Sequence, residues 1–165
     1  MTTQQTSTPD TGALMIKRVI ELSAPIHQVW LALTDHEQFG DWFKVRLDSP
    51  FQVGKVSAGE VTYPGYEGMK FWARPEVMDS PTCFQFIWPI EETTSPDDPH
   101  LMSKTTHVEF CLSEQDTGTT LTLCESGFEK LYEEIRDRAF AQNSEGWDAQ
   151  MGNIEQYLRQ KISNP

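Results

Sequence analysis

The sequence predicts an α+β fold in which a curved antiparallel sheet of about six or seven strands wraps round one long C-terminal helix. Two short helices are expected after the first strand. A series of strand-like segments fills the middle of the chain, and consecutive strands usually pair antiparallel. Residues 128–162 instead have helical periodicity with one apolar face. The apolar faces of the helix and the sheet must be buried against each other.

The first strand is predicted at residues 14–22, which are rich in β-branched side chains. Pro25 then suits the first turn of a helix, where its missing N–H leaves no hydrogen bond unmade. The apolar residues that follow have the spacing i, i+3, i+4 and i+7, which is typical of one buried helical face. These residues are Ile26, Val29, Trp30 and Leu33.

A second, short helix follows directly. Asp35 and Gln38 have the spacing of a capping box at its start. Its apolar side consists of Phe39, Trp42 and Phe43.

Three strands and two connections are predicted next. The first two strands, residues 56–63 and 69–77, flank Tyr63-Pro64-Gly65-Tyr66, where the central Pro-Gly pair indicates a type II turn. The third strand covers residues 83–88. The connection at residues 89–104 holds three prolines and four acidic residues, and both a solvated loop and a lid are compatible with it.

The hairpin at residues 105–125 alternates between an apolar and a polar face. With a turn at residues 116–118, Val108 is expected to face Leu123, and Phe110 is expected to face Leu121. All of the apolar residues then share one side, as a half-buried antiparallel sheet requires.

The final helix carries its apolar residues along one face. These residues are Trp147, Met151, Ile154, Leu158 and Ile162. Residues 129–140 are expected to form a segment of their own, with a break or kink near Asn143 and Ser144. Gly152 costs about 1 kcal/mol relative to alanine in a helix interior. Both a close approach by a strand or a ligand and a glycine that is merely tolerated are compatible with it.

Length and charge limit the class of protein. The chain of 165 residues suits one domain, which we place at residues 14–162, after a disordered polar tail at residues 1–13. That tail lacks the pattern of a signal peptide, and no apolar run reaches the roughly 18 residues that span a bilayer. We therefore expect a cytoplasmic protein without membrane insertion. The formal net charge of −12 argues against nucleic-acid binding, because it repels phosphates.

Neither a cofactor nor a metal site is predicted. Cys83, Cys111 and Cys124 lack zinc-ribbon and iron–sulfur spacing. In the expected register His107 lies opposite Cys124, and such a pair can be nucleophilic. That face points away from the core, however, and a perturbed catalytic group needs burial or a cleft. We therefore assign no catalytic residue, and together with Glu109 the group lacks a third convincing metal ligand.

Three blocks of sequence carry a resemblance to a known superfamily: IKRVIELSAPIHQVWLALTDHEQFGDWF, THVEFCLSEQDTGTTLTLCESGF and EGWDAQMGNIEQYL. The first resembles the opening of SRPBCC-superfamily proteins, the second their late hairpin, and the third their closing helix. Within the superfamily the chain looks most like the group named after the activator of the ninety-kilodalton heat-shock protein's ATPase. The resemblance implies a helix-grip fold like that of the birch-pollen allergen. It also implies a role among lipid carriers, cyclases and co-chaperone modules, although a fold alone does not decide function.

The apolar stripe of the last helix is compatible with plain core packing and with one wall of a cavity. The abundance of rigid rings and the resemblance favour a cavity between the helix and the sheet. Its candidate lining residues are Phe39, Trp42, Phe43, Phe71, Phe86, Trp88, Phe110, Leu121, Leu123, Trp147, Met151 and Ile154, with Tyr63, Tyr66 and Arg74 as polar groups at its mouth.

Three functions are compatible with these features. The first is a binding or carrier domain for a small hydrophobic or aromatic molecule. The second is a protein-interaction module that uses the acidic surface and the 89–104 connection. The third is an enzyme of the cyclase or hydrolase kind, for which no titratable group in the cavity can be named. A homodimer is compatible with the sequence, but no residue demands one.

Overall fold

The computed structural model describes residues 14–163, so the predicted polar tail lies outside the described residues. The seven strands are β1 (Ile16–Leu22), β2 (Val45–Leu47), β3 (Ser57–Val61), β4 (Lys70–Asp79), β5 (Cys83–Pro89), β6 (Thr105–Gln115) and β7 (Gly118–Ser126). The three α-helices are α1 (Ile26–Thr34), α2 (His36–Phe43) and α3 (Glu133–Ser163), and short 3-10 turns lie at Leu101–Ser103 and Phe128–Lys130.

The strands form one antiparallel sheet in the order β1-β7-β6-β5-β4-β3-β2. The helix α3 lies across the apolar face of this sheet, where the Trp147 ring is 2% exposed and lies 5.9 Å from the Phe110 ring. The predicted α+β helix-grip architecture is therefore confirmed. Although α3 is 31 residues long, it does not have the apolar content that a helix needs to cross a membrane, and the same holds for the other helices between residues 14 and 163.

Two predicted local motifs are present. The Asp35 carboxylate accepts hydrogen bonds from the backbone N–H groups of Glu37 (2.9 Å) and Gln38 (3.3 Å), as an N-cap residue does. In the turn after β3, Gly65 has φ +95°, and the Tyr66 N–H donates to the Tyr63 carbonyl at 2.9 Å. These values fit the predicted type II turn.

The predicted register of the β6–β7 hairpin is wrong by two residues. Phe110 faces Leu123 rather than Leu121, and Val108 faces Glu125 rather than Leu123. The reason is that Gly118 belongs to the strand and not to the turn: a Cβ at Gly118 would lie 2.1 Å from the Leu22 carbonyl oxygen of β1. A shift by an even number preserves the faces, but it removes the expected His107–Cys124 pair.

Two expectations for the last helix are wrong. The helix α3 runs without interruption from Glu133 to Ser163 and has no separate segment before Asn143. Its buried stripe ends at Leu158, because Ile162 is 46% exposed. Gly152 is exposed, and no atom lies within 4 Å of a Cβ placed there, so no strand approaches it.

Two glycine substitutions are expected to change stability in opposite directions. Gly152→Ala should raise the free energy of unfolding by about 1 kcal/mol, because the added methyl meets only solvent and alanine favours the helix. Gly59→Ala should lower it by about 1–3 kcal/mol, because its Cβ would lie 1.7 Å from the Arg46 carbonyl oxygen. Urea unfolding at constant m-value measures both changes. Equal changes in the free energy of unfolding would contradict the close packing at Gly59 and the open space at Gly152.

Candidate functional site

Most of the predicted cavity residues fill the interface between helix and sheet. Phe86, Phe110 and Leu121 are 0% exposed, and the rings of Phe86 and Phe110 lie 6.1 Å apart. Their neighbours are packed in the same way, with exposures between 0% and 6%: Phe39, Trp42, Leu123, Met151 and Ile154. These eight side chains are core in this structure.

Three other predicted residues line an opening beside α3. Phe43 ends α2, Trp88 lies near the end of β5, and Trp147 lies on α3. We call this opening the recess; it has a volume of about 150 Å³. Its lining residues are Phe43, Trp88, Gln142, Asn143, Gly146, Trp147 and Gln150.

The recess adjoins a larger depression of about 610 Å³, which we call the outer cleft. Tyr63 and Tyr66 of the turn after β3 form its far wall, with ring centroids 6.2 Å apart. Phe43, Gln142, Gly146 and Gln150 line both spaces, and Lys44, Val61, Met69, Glu145 and Ala149 complete the outer cleft.

Local contacts fix the aromatic walls. The Gln150 amide of α3 donates to the Phe43 carbonyl at 2.9 Å, which joins α3 to the end of α2. Trp88 and Trp147 are stacked, with centroids 5.5 Å apart and an interplanar angle of 23°. The Phe43 ring contacts both indoles as well as Phe71, which is half-buried behind this group.

A buried carboxylate lies directly behind the recess. Glu125 of β7 is 0% exposed. One of its oxygens accepts from the Trp147 indole N–H at 2.8 Å. The other accepts from the Trp88 indole N–H (3.0 Å), the Asn143 amide (2.9 Å) and the Thr106 hydroxyl. Three recess residues, on β5 and α3, are therefore bonded to one side chain.

Burial raises the pKa of Glu125, although its four hydrogen bonds act in the opposite direction. None of the ion pairs formed within residues 14–163 includes this carboxylate, so no cation offsets the lost hydration. Both oxygens are engaged by protein donors and lie behind the indoles. The arrangement can hold the aromatic walls in place, and it does not present the carboxylate to a bound molecule.

Sequence reasoning did not identify Glu125. The alternation of β7 places residue 125 on the same face as Leu121 and Leu123, so the signal was an acidic residue at an inward-facing position. This signal does not depend on the register, because a shift by two residues leaves the faces unchanged.

Arg74 lies away from the recess, contrary to its expected place at the cavity mouth. Alternation along β4 places it on the sheet face of Trp72, opposite to that of Phe71. There it lines a separate depression of about 520 Å³ with Glu76, His107 and Lys130.

The 89–104 connection packs against neighbouring elements. The Trp72 indole donates to the Thr94 carbonyl at 2.9 Å, and Glu91 lies 3.3 Å from Arg138 of α3. None of residues 90–104 lines the recess or the outer cleft. Two other depressions flank the end of α3, with volumes of about 440 and 520 Å³. Their lining residues do not include a hydrogen-bonding partner of Glu125.

Solved structures with the same fold come from several bacteria. A protein from Arthrobacter aurescens matches with a TM-score of 0.73 and 21% identity, covering 93% of this chain and 90% of that chain. A protein from Mesorhizobium loti matches with a TM-score of 0.70 and 20% identity, covering 89% of this chain and 98% of that chain. The Aha1 dimer from Colwellia psychrerythraea matches with a TM-score of 0.65 and 14% identity, covering 88% of this chain and 96% of that chain.

No curated protein matches the chain. Residues 23–159 match the model of the family described as "Activator of Hsp90 ATPase homolog 1-like protein". This match covers the first helix, all strands from β2 to β7 and nearly all of α3. The chain therefore belongs to this family, within the SRPBCC superfamily.

Proposed function

We propose that the protein binds a small hydrophobic or aromatic molecule in the recess and the outer cleft. The observation that carries this proposal is the attachment of Trp88, Asn143 and Trp147 to Glu125. A buried carboxylate is a costly way to fill a core, whereas it can hold two indoles at fixed positions around a space. Walls that are fixed before binding reduce the entropy lost on association.

The lining favours a flat ring with a neutral polar group. Phe43, Trp88 and Trp147 offer ring faces and edges in the recess, and pairs of aromatic rings add about 0.5–1.5 kcal/mol beyond area burial. Gln142 offers an amide donor and acceptor at the boundary with the outer cleft, whereas the Gln150 amide is already bonded to the Phe43 carbonyl and to Asn153. The volume of the outer cleft, about 610 Å³, is within the usual range for small-molecule sites.

Ligand binding should stabilise the folded chain. At one hundred times the dissociation constant, a single-site ligand adds about 2.7 kcal/mol. We expect a raised melting temperature with at least one compound from a panel of fatty acids, sterols and aromatic molecules. Changed tryptophan fluorescence should accompany it, since Trp88 and Trp147 line the recess. Native mass spectrometry of the purified protein tests for a co-purified molecule.

A pair of glycine variants identifies the site. Gly146 lines both spaces, and no atom lies within 4 Å of a Cβ placed there. Gly146→Leu should therefore fold, obstruct the recess and abolish the ligand-induced stabilisation. Gly152→Leu, which also meets no neighbour but lines neither space, should bind normally. Equal binding by both variants, or no stabilisation by any compound, would contradict the proposal.

A second candidate function is a protein-interaction module. Tyr63, Tyr66 and Met69 are 38%, 58% and 38% exposed and project from one turn region, and the Colwellia relative is a dimer. A second copy of the chain is the partner to test first, by sedimentation of the protein and of Tyr66→Ser. We propose a cytoplasmic location, since the three free thiols suit a reducing compartment.

A further inference from the structure

On the face of the sheet opposite α3, a group of polar side chains extends over β5 and β6. Cys83 lies directly opposite Cys111, and Gln85 lies opposite Glu109. All four side chains are half-buried, so solvent reaches them. Potential ligand atoms of Cys83, Glu109 and Cys111 all lie within 4.8 Å of one another.

Strand pairing brings the two thiols together. The Leu112 N–H donates to the Thr82 carbonyl at 2.9 Å, so Cys83 and Cys111 form a non-hydrogen-bonded pair. Side chains approach most closely at such pairs, where Cα atoms are about 4.5 Å apart. Glu109 precedes Cys111 by two residues and therefore points to the same face.

We infer that Cys83, Glu109 and Cys111 form a binding site for a borderline-soft divalent cation of the Zn²⁺ class. Two thiolates and one carboxylate are ligands that zinc accepts, and tetrahedral coordination leaves a fourth position for water. Thiolate ligands disfavour Mg²⁺ and Ca²⁺. The site lies on the other side of the sheet from the recess, so it does not depend on the proposed ligand binding.

Neighbouring groups orient the ligands. The Gln85 amide nitrogen donates to the Glu109 carboxylate at 3.0 Å and lies 3.2 Å from the Cys83 sulfur. Its amide oxygen lies 3.0 Å from the His107 ring nitrogen. Gln85 therefore holds two ligands at once, as the outer-shell partners of metal sites do.

The surroundings of Cys111 disfavour its thiolate form. Burial raises the pKa of Cys111 to about 11, and Glu109 and Cys83 contribute in the same direction. A bound divalent ion would reverse this effect and displace the thiol protons into solvent. Cys124 lies opposite Lys17 on β1 and opposite Glu109 on β6, but it is not among the converging ligands. It is the matched control.

The test uses reduced, tag-free full-length protein titrated with Zn²⁺ against a chromophoric chelator. We expect one ion per chain, release of protons on binding, and a thiolate charge-transfer band when Cd²⁺ replaces Zn²⁺. Cys83→Ser, Cys111→Ser and Glu109→Gln should each lose binding. Gln85→Leu should weaken it about 10–100-fold, as expected for an outer-shell partner, and Cys124→Ser should bind as the unchanged protein does.

Absence of the Cd²⁺ band from the reduced protein would overturn the inference. Zn²⁺ binding that survives Cys83→Ser and Cys111→Ser would overturn it too. So would a loss of binding in Cys124→Ser as large as the loss in those two variants. If oxidation instead joins Cys83 to Cys111 and the reduced protein takes no metal, the pair is a redox site and the inference fails. Circular dichroism confirms that each variant is folded. Should a cysteine variant not fold, Glu109→Gln and the Cd²⁺ titration of the unchanged protein decide.

Discussion

Glu125→Ala is expected to lower the free energy of unfolding by roughly 3 kcal/mol or more. The substitution removes the acceptor of Asn143, Trp147 and Thr106, whereas the Trp88 indole keeps the Thr106 hydroxyl at 3.0 Å. Each buried unpaired group costs about 1–3 kcal/mol. Chemical denaturation followed by circular dichroism measures the change.

Glu125→Gln is the matched control for shape. Its amide keeps one acceptor oxygen but turns an NH₂ group toward donors, so its loss of stability should be smaller than that of the alanine variant. If Glu125→Ala is as stable as the unchanged protein, the hydrogen-bond network contributes nothing to stability and does not fix the aromatic walls.

The raised pKa of Glu125 also gives the sign of a pH effect. Between the unfolded value near 4.5 and the higher folded value, the folded state holds a proton that the unfolded state has lost. The contribution of Glu125 to stability is therefore fully present below the unfolded pKa and is lost as the pH rises through the folded pKa. Other carboxylates also titrate, so the measurable quantity is the difference from Glu125→Gln. The stability advantage over that variant should shrink from pH 4 to neutral pH; an advantage that grows would contradict the direction.

Trp147→Ala is expected to cost about 3–5 kcal/mol, the usual range for removing a buried tryptophan. The indole is 2% exposed, stacks on Trp88, contacts Phe110 and bonds to Glu125. Denaturant unfolding measures the loss, and a surface substitution on the same helix, Gln156→Ala, should change stability by less than about 0.5 kcal/mol.

Trp147→Phe distinguishes the contribution of ring packing to stability from that of the hydrogen bond. Phenylalanine keeps most of the packing and removes the indole donor, so we expect a loss of about 1–2 kcal/mol. Combined with Glu125→Gln, the two effects should be non-additive, because the residues share one bond. Strict additivity would show that the bond does not couple α3 to β7.

The architecture could be predicted because alternation and helical periodicity are local signals. The repeated inward positions of β6 and β7 and the spacing from Trp147 to Leu158 identify the faces that meet, whatever the pairing. The hairpin register depends instead on Gly118, whose close approach to Leu22 of β1 involves a strand far away in sequence. No local pattern contains that contact.

The candidate site could be predicted only in part for a similar reason. Aromatic character predicts Phe43, Trp88 and Trp147 as cavity residues, and it predicts Phe86 and Phe110 equally. Tertiary packing decides between the two groups: Phe86 and Phe110 are fully buried, whereas Phe43, Trp88 and Trp147 line an opening beside Gly146. That all of the named residues bind a ligand stays a prediction. Alternation places Glu125 on the inward face, but its bonds to Trp88 and Trp147 join elements far apart in sequence, and no local pattern contains them.

The bonds of Glu125 also determine how fast a bound molecule could leave. Asn143 and Trp147 on α3 are attached to the same carboxylate of β7, so separating the helix from the sheet at this point would break both hydrogen bonds together. The opposite wall is a surface turn with exposed tyrosines at residues 63 and 66. Surface turns move within nanoseconds to microseconds. Exchange should therefore be governed by displacement of that turn, and residence time should depend on its sequence more than on the stability of the core.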